Sequence, residues 1–590
     1  MEKESVLGKI WRKNNINEDL ASQIKIHLNI SDLLSTLIAR NSRNLEEAEG
    51  IFQPKIKRLL PDPFHLRDME KGVNRVVKAI LGKEKICIFA DYDVDGATSS
   101  ALLKNIFDEL GVESFIYVPD RIIEGYGPNP NSMEYIKNQV ASLVITVDCG
   151  SVSFEAIENA NEIGLDVIVI DHHLTIDQMP KAIAIINPNR LDEISEYKNL
   201  AAVGVSFLFA VGLCATLKSL NFFDKNNKPF PNLMNQLDLV ALGTVCDVMP
   251  LTGLNRAFVA QGLKVAAKRQ NIGYNMLCDI AAIDSAPNPY HLGFILGPRI
   301  NAGGRVGKSS LGATLLSTKN AQEAKSLAIE LDQYNEERKA IELVILEEAK
   351  QQAEAQKENS LIFIIGQNWH PGVIGIIAGR IKEQYNKPVA VIALSGEGIG
   401  KASCRSVKGI DFGCQIIDAK QKGLLVSGGG HAMAGGFTVL KKDLLPLQEF
   451  FTLKFNKLLL NYKGHLNVYY DFEIKTEAVN IALLREIEQL EPFGLGYPMP
   501  VFKFSNMYVL KADIVGGKHA RITFAPDRKS HSKNLLAAVS FNIVDTKLQD
   551  VIFSKKPLLL DIIGKLQINK WQNTEKIQLI LEDIIINQIT

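Results

Sequence analysis

Four short apolar runs constrain the fold of this chain more than anything else in it: KICIF (85–89), LVITV (143–147), DVIVI (166–170) and AIIN (184–187). They are rich in β-branched residues and lack polar alternation. A strand with one wet face alternates apolar and polar side chains, whereas an unbroken run fits a strand covered on both faces. With helical stretches between them, the runs predict a parallel α/β sheet between Glu84 and about Pro250. Ligands of such sheets gather outside the carboxyl ends of the strands.

Acidic residues stand at the ends of these runs. IFADYDVDG carries Asp91, Asp93 and Asp95; VDCG carries Asp148; DHH is Asp171, His172 and His173. LDLVALGTVCDVMPL places Asp247 after an apolar segment that reads as helical. Any one of these aspartates alone reads as a helix N-cap or turn residue, and a histidine pair alone reads as structural. Together they would crowd one sheet edge, where like charges raise each other's pKa unless a cation neutralises them. Carboxylates with few imidazoles suit Mn²⁺ or Mg²⁺. The seven cysteines are scattered without a C-x-x-C pair, which argues against structural zinc and for reduced thiols. Two ions about 3.5–4 Å apart can activate water and clamp both oxygens of a phosphoester displacement.

The length, 590 residues, implies about three or four domains. No apolar run is long enough to span a bilayer and MEKESVLGKIWRKNN has no signal-peptide core, so the cytoplasm is the expected compartment and no membrane partner is expected. Lys plus Arg and Asp plus Glu both number 66, so any polyanion must be gripped locally rather than through bulk charge. Residues 321–357 lack Gly and Pro and form one amphipathic pattern, with Ala324, Leu327, Leu331, Tyr334, Ile341, Val344 and Ile345 on one face. A second α/β segment comes next, with SLIFII and KPVAVIAL, and residues 500–590 read as the strands of a small β-barrel. SGGGHAMAGGF (427–437) surrounds His431 with glycines, including Gly429 and Gly430, and such a loop can form a backbone nest for an anion.

DYDVDG, VDCG, DHH and GTVCDVMPL, in that order, resemble the four motifs of the DHH phosphoesterases. VPDRIIEGYG, LGPRINAGGR, SGGGHAMAGGF and LEPFGLGYPMPVF narrow the resemblance to the RecJ single-stranded-DNA exonucleases, from roughly Trp11 to the C-terminus. The departures from commoner family forms, Gly303 and Cys246, are small. The resemblance implies an α/β fold of two α/β domains, DHH and DHH-associated, joined by a long helix, plus a C-terminal OB-fold barrel. The implied segments are a helical lead-in (1–50), the DHH domain (51–320), the connecting helix (321–358), the DHH-associated domain (359–455) and the OB domain (456–590).

By the same resemblance, Asp93 and Asp148 bind one ion with Asp91 in or beside that shell, while Asp95, Asp148, His172 and Asp247 bind the other. His173 faces the scissile phosphate and Asp171 orients a histidine. Arg121, Arg299, Arg305, Ser403 and Arg405, with Gly429, Gly430 and His431, are the implied substrate contacts; Arg121, Arg305, Ser403 and Arg405 would grip a 5′-phosphate. In the barrel, Phe502, Lys518, Arg521 and Trp571 are candidates for contact with a single strand. The implied activity is 5′→3′ degradation of single-stranded DNA to 5′-mononucleotides, in recombination and repair. A helicase and a single-stranded-DNA-binding protein are the implied partners, and a monomer is the default. The alternatives are a phosphodiesterase acting on short oligonucleotides or cyclic dinucleotides, and a non-catalytic single-strand-binding scaffold.

Overall fold

The apolar runs fold as buried strands in the computed structural model, which describes residues 3–121, 123–460, 466–527, 534–571 and 574–589. Strands β1 (Ile86–Ala90), β2 (Ser114–Tyr117), β3 (Leu143–Val147), β4 (Asp166–Ile170) and β5 (Ala184–Ile186) form one parallel sheet in the order β2-β1-β3-β4-β5. Every residue of β1 and β3 is buried, which is why neither alternates. β2 lies at the edge, is half-buried throughout and gives no comparable signal. The strand order reverses between β1 and β3, so the loops after them open the crevice where such sheets bind ligands.

Helix α1 (Val94–Leu110) leaves β1 at once and packs against α2 (Ala202–Ser219) and α3 (Leu237–Cys246). α2 corrects one expectation, being long and apolar enough by composition to cross a membrane; here it is a core helix, mostly buried. α3 stops at Asp247, with Pro250 three residues on. Helix α4 (Gly297–Val306) leads to α5 (Ala321–Glu354), about 50 Å long at 1.5 Å per residue. The buried stripe of α5 differs from the expected one. Val344 is exposed, and Asn335, Arg338 and Glu342 are buried at mid-helix, where Arg380 reaches Glu342 from α6 (Ile374–Tyr385).

The second sheet has the order β9-β10-β8-β7-β6, from β6 (Ile362–Gln367), β7 (Val389–Leu394), β8 (Ile399–Arg405), β9 (Ser427–His431) and β10 (Ala434–Leu440). Only β6 and β7 run parallel. The glycine-rich stretch is therefore an antiparallel hairpin, β9–β10, and not a nest-forming loop. α7 (Phe412–Gln421) lies against it so closely that a Cβ at Gly428 or Gly435 would strike Ile416.

Both sheets and α5 belong to one compact unit, Pro63–Asp247 with Val265–Lys463. A second unit joins Met1–Asp62, Val248–Lys264 and Gly464–Thr590. Its barrel strands β11 (Val501–Val515), β12 (His519–Ala525), β13 (Leu536–Ser540), β14 (Leu558–Trp571) and β15 (Thr574–Ile589) run in the order β11-β12-β13-β15-β14, and β14 pairs back with β11 to close it. Residues 1–50 are not a separate lead-in. Lys9–Lys13 is a strand parallel to Leu466–Tyr470, and Ile24 and Leu37 share the core of Phe504 and Leu560. Residues 248–264, expected within the DHH domain, supply this unit with a buried Arg256. It donates to the carbonyls of Ile51, Leu490 and Pro492 and lies 4.3 Å from the Tyr497 ring centroid. LEPFGLGYPMPVF thus clasps a buried guanidinium. Phe502 is barrel core and no stacking surface; Lys518 and Arg521 are exposed, and the Trp571 side chain lies outside the described residues.

The outer edge of β6 is an unpaired strand edge, a liability in any sheet. α5 covers it with two glutamines four residues apart. The Gln352 amide pairs with both N–H and C=O of Ile365 (3.1 and 2.9 Å), and Gln356 does the same for Phe363 (3.0 and 2.9 Å). The Gln352→Ala, Gln356→Ala double variant removes four hydrogen bonds, and a loss of about 2–4 kcal/mol is expected from the usual worth of each. Urea unfolding checks it; an unchanged midpoint would refute this role for the glutamines.

Candidate active site

Each acid at the sheet edge is held by a local rule of chain geometry. Asp93 is the N-cap of α1, one oxygen accepting from the N–H groups of Asp95 (2.9 Å) and Gly96 (3.1 Å). The N-cap reading holds for this residue, and its second oxygen stays free of that duty. Asp95 turns inward and accepts from the N–H groups of Ala202 (2.6 Å) and Val203 (2.9 Å), at the positive end of α2. Asp148 holds a left-handed backbone, φ +60°, an uncommon conformation for a non-glycine residue. Asp247 is the C-cap of α3, and Val248 beside it is also left-handed, φ +58°.

The side chains converge. Ligand atoms of Asp91, Asp93 and Asp148 lie within 4.8 Å of one another, as do those of Asp95, His172 and Asp247. His172 Nε2 is 3.2 Å from Asp148, 3.4 Å from Asp247 and 3.8 Å from Asp95, which joins the two groups. Burial, aided by Asp93, raises Asp95 to about 7 and pushes Asp91 and Asp148 well above the usual carboxylate range. Burial and Asp95 raise Asp247 to about 9. Asp91 Oδ1 and Asp247 Oδ2 are buried without a hydrogen-bond partner. Buried oxygens of this kind, orphaned and crowded by other carboxylates, fit divalent cations.

Asp171 has another task. Its Oδ1 accepts from His173 Nδ1 at 2.8 Å and from the His172 N–H at 2.7 Å, while Oδ2 accepts from the Ser151 N–H at 3.1 Å. Burial alone would raise Asp171, but the His173 bond and charge hold it below the usual range. The adjacent histidines are driven apart. Burial and the charge of His173 lower His172 to about 4, whereas the Asp171 hydrogen bond outweighs burial and raises His173 to about 9. A neutral imidazole can ligate a cation, and a cationic one can meet a phosphate. Two asparagines missed in the sequence brace this loop: Asn187 donates to Ser151 Oγ and the His173 carbonyl, and Asn189 to the His172 carbonyl. Their signal is the INPNR run that ends β5.

A cavity of about 480 Å³ opens beside this cluster, lined by Tyr92, Tyr126, Arg121, Arg305, Ser403 and Arg405 among others. The Arg121 guanidinium is 4.9 Å from the Tyr92 ring centroid. Arg305 donates to the Gly372 carbonyl at 3.0 Å; burial and Arg121 lower it to about 10. Arg405 reaches Ser403 Oγ at 3.3 Å. Three guanidiniums thus line one cavity. Arg299 is not among them: it pairs with Asp332 at 2.8 Å and bonds the Ile295 carbonyl, tying α4 to α5. The sequence reading also overlooked HPGVIG (370–375), the cavity's other wall, where a Cβ on Gly375 would come within 3.1 Å of Ser403 Oγ.

A second cavity is lined by Tyr126, Asp171, His173, Gly429, Gly430 and His431, with other residues. The two glycines differ. Gly430, φ +151°, has its Cβ position blocked by Gly435 and Ala434, whereas Gly429 faces open space within 4 Å. The protein's own packing requires the first glycine and leaves the second for whatever enters the cavity.

Family models match the chain in three places: the DHH family N-terminal domain at residues 85–244, the DHHA1 domain at 358–453 and the RecJ OB domain at 470–583. The single-stranded-DNA-specific exonuclease RecJ of Escherichia coli is 34% identical over 558 residues, 92% of this chain and 94% of that protein. The RecJ of Bacillus subtilis is 29% identical over 585 residues, 98% of this chain and 71% of that protein. The crystal structure of Thermus thermophilus RecJ in complex with Mn²⁺ matches with a TM-score of 0.79 and 25% identity, over 98% of this chain and 80% of that one. With the motifs, the domain matches and the fold in agreement, the chain belongs to the RecJ family of single-stranded-DNA-specific exonucleases.

Proposed function

We propose that this protein degrades single-stranded DNA from its 5′ end to 5′-mononucleotides, in recombination and repair, using two divalent cations, Mn²⁺ or Mg²⁺. The observation that carries the reading is a shared wall. Tyr126 lines both the arginine cavity and the cavity of His173 and His431. An anion pocket one side chain away from the acid cluster can fix the end of a strand and present the next phosphate for cleavage, which is exonuclease geometry.

Asp91, Asp93 and Asp148 would hold one ion and Asp95, His172 and Asp247 the other, with Asp148 within reach of both. When bound, the ions activate water and neutralise charge on the phosphate. The chain's own groups do the rest. Arg121, Arg305, Ser403 and Arg405 grip the 5′-phosphate. His173, held by Asp171, keeps its Nε2 proton for the scissile phosphate, and His431 approaches from the glycine hairpin. A strand must be freed from its duplex before it can enter, so a helicase and a single-strand-binding protein are the proposed partners of a monomer in the cytoplasm.

A long single strand labelled at its 3′ end tests the reading. The expected outcome with Mn²⁺ is shortening from the 5′ end, faster with a 5′-phosphate than a 5′-hydroxyl and abolished by EDTA. Asp148→Ala should lose at least about a thousandfold in kcat while remaining folded by circular dichroism; near-normal turnover would refute the two-ion assignment. Preference for a dinucleotide over the long strand would favour the short-oligonucleotide alternative.

Arg405→Ala should erode the preference for a 5′-phosphate, raising KM on phosphorylated ends about 10- to 100-fold while scarcely changing 5′-hydroxyl ends. Comparing KM for the two ends decides it, and a parallel change in both would remove Arg405 from the pocket. The glycines give a separate check: Gly429→Ala should fold normally but lose activity, whereas Gly430→Ala should lower thermal stability as well. Full activity in Gly429→Ala would show that nothing approaches its backbone.

A further inference from the structure

The arginine cavity extends past the four residues that grip a terminal phosphate. Strand β8 alternates: Gly400, Ala402 and Cys404 are buried, while Lys401, Ser403 and Arg405 share the opposite face. The register carries that face across the glycine hairpin in three rows. Arg405 stands beside Ala434 and His431, Ser403 beside Gly436 and Gly429, and Lys401 beside Thr438 and Ser427. The middle row has no side chain larger than that of serine, so the face is a trough between two polar rims. Lys401, Thr438 and Ser427 line the arginine cavity, yet neither the acid cluster nor the phosphate grip uses them.

The two rims differ. The Arg405 row contains His431, which lines the cavity of His173 and so faces the chemistry. The guanidiniums gather at this end: Arg305 bonds the Gly372 carbonyl, and a Cβ on Gly375 would come within 3.4 Å of Arg405. The Lys401 row is the rim away from the scissile bond. Lys401 lies four residues from Arg405 along one strand, about 13 Å at 3.3 Å per residue. It is exposed, and its ammonium makes no ion pair or hydrogen bond among the described residues. Arg121, Arg305, Arg405 and Lys401 thus put four cations around one cavity, with no carboxylate in its lining. A terminal phosphomonoester brings about two negative charges, and so compact a group cannot touch both rims. A linear chain of phosphates can.

We propose that Lys401, Thr438 and Ser427 form a second anion subsite for the outer phosphates of a 5′-triphosphate end, so that the protein also degrades triphosphorylated single strands. This rests on the reading of the chain as a 5′-end exonuclease. The α-phosphate keeps the place of an ordinary 5′-phosphate among the three guanidiniums. The β- and γ-phosphates lie along the glycine row, where the ammonium and the two hydroxyls donate to them. The bond broken is unchanged. The oxygen of water bonds to the phosphorus of the first internucleotide link, and the bond from that phosphorus to the 3′-oxygen breaks. One proton of the water goes to the 3′-oxygen and the other to solvent. The first product is therefore a nucleoside 5′-triphosphate, and the shortened strand carries an ordinary 5′-phosphate into the next turnover. Ends of this kind arise wherever a chain is begun from a nucleoside triphosphate.

The test uses the full chain, Mn²⁺ and one DNA single strand labelled at its 3′ end and bearing a 5′-triphosphate, a 5′-phosphate or a 5′-hydroxyl. The wild type should degrade the triphosphorylated strand with a kcat/KM at least equal to that of the phosphorylated one, and chromatography should show nucleoside triphosphate as its first product. In Lys401→Met the ratio of kcat/KM for triphosphate over monophosphate ends should fall about 10- to 100-fold, as expected for a lost charge-assisted contact. Lys401→Arg should keep the wild-type ratio. Each ratio is taken within one variant, so any loss of folded protein cancels. A wild type that digests the phosphorylated strand and refuses the triphosphorylated one, or a ratio unchanged in Lys401→Met, would overturn the subsite. Failure to digest any of the three strands would overturn the exonuclease reading itself, a result distinct from either.

Discussion

Crowding of carboxylates at the carboxyl edge of the parallel sheet is the constraint that the rest of the catalytic unit obeys. Asp91, Asp93, Asp95, Asp148 and Asp247 converge there, mostly buried, and burial and mutual repulsion raise four of them. The fold offsets part of this before any cation arrives. Asp93 caps α1 and Asp95 accepts from the first turn of α2, so the positive ends of two helices face two of the acids. The remainder is left uncompensated at Asp91 Oδ1 and Asp247 Oδ2. Left-handed backbone at Asp148 and Val248 is the strain accepted where the carboxylates of Asp148 and Asp247 turn into the cluster.

Much of this was legible because strand burial and strand ends leave marks in sequence. Unbroken β-branched runs predicted the parallel sheet, and acid or imidazole at successive run ends predicted where the site would form. The barrel strands were legible in the same way, β11 coinciding with the run VFKFSNMYVLKADIV. What stayed hidden depends on partners distant in sequence. Arg299 and Arg305 lie one helix face apart in the same motif, and only the position of Asp332 shows that the first is spent on an ion pair. Glycines in SGGGHAMAGGF suit a nest and a tight hairpin equally well. The Ile416 side chain of α7, pressed against two of them, distinguishes the hairpin. Nothing in residues 248–264 announces that they leave one compact unit for the other, because the contacts of Arg256 are carbonyls, which carry no sequence signal.

The long helix shows why its polar centre matters. α5 holds the edge of β6 through Gln352 and Gln356 and holds α4 through Asp332, so it links the elements of both sheets within one unit. Apolar contacts alone let helices slide, since burial has little directionality. Arg338, Glu342 and Asn335, with Arg380 reaching from α6, interrupt the apolar stripe at mid-helix with directional contacts: Arg338 bonds Asn335 and pairs with Glu342, which also meets Arg380. Ile374 and Gly375, in the first turn of α6, line the arginine cavity, so the register of α5 on α6 sets where Ser403 and Arg405 find their space. A mid-helix ion pair that adds little to stability can in this way fix where Ser403 and Arg405 of the second sheet stand relative to Tyr92, Arg121 and Tyr126, which follow strands of the first and line the same cavity.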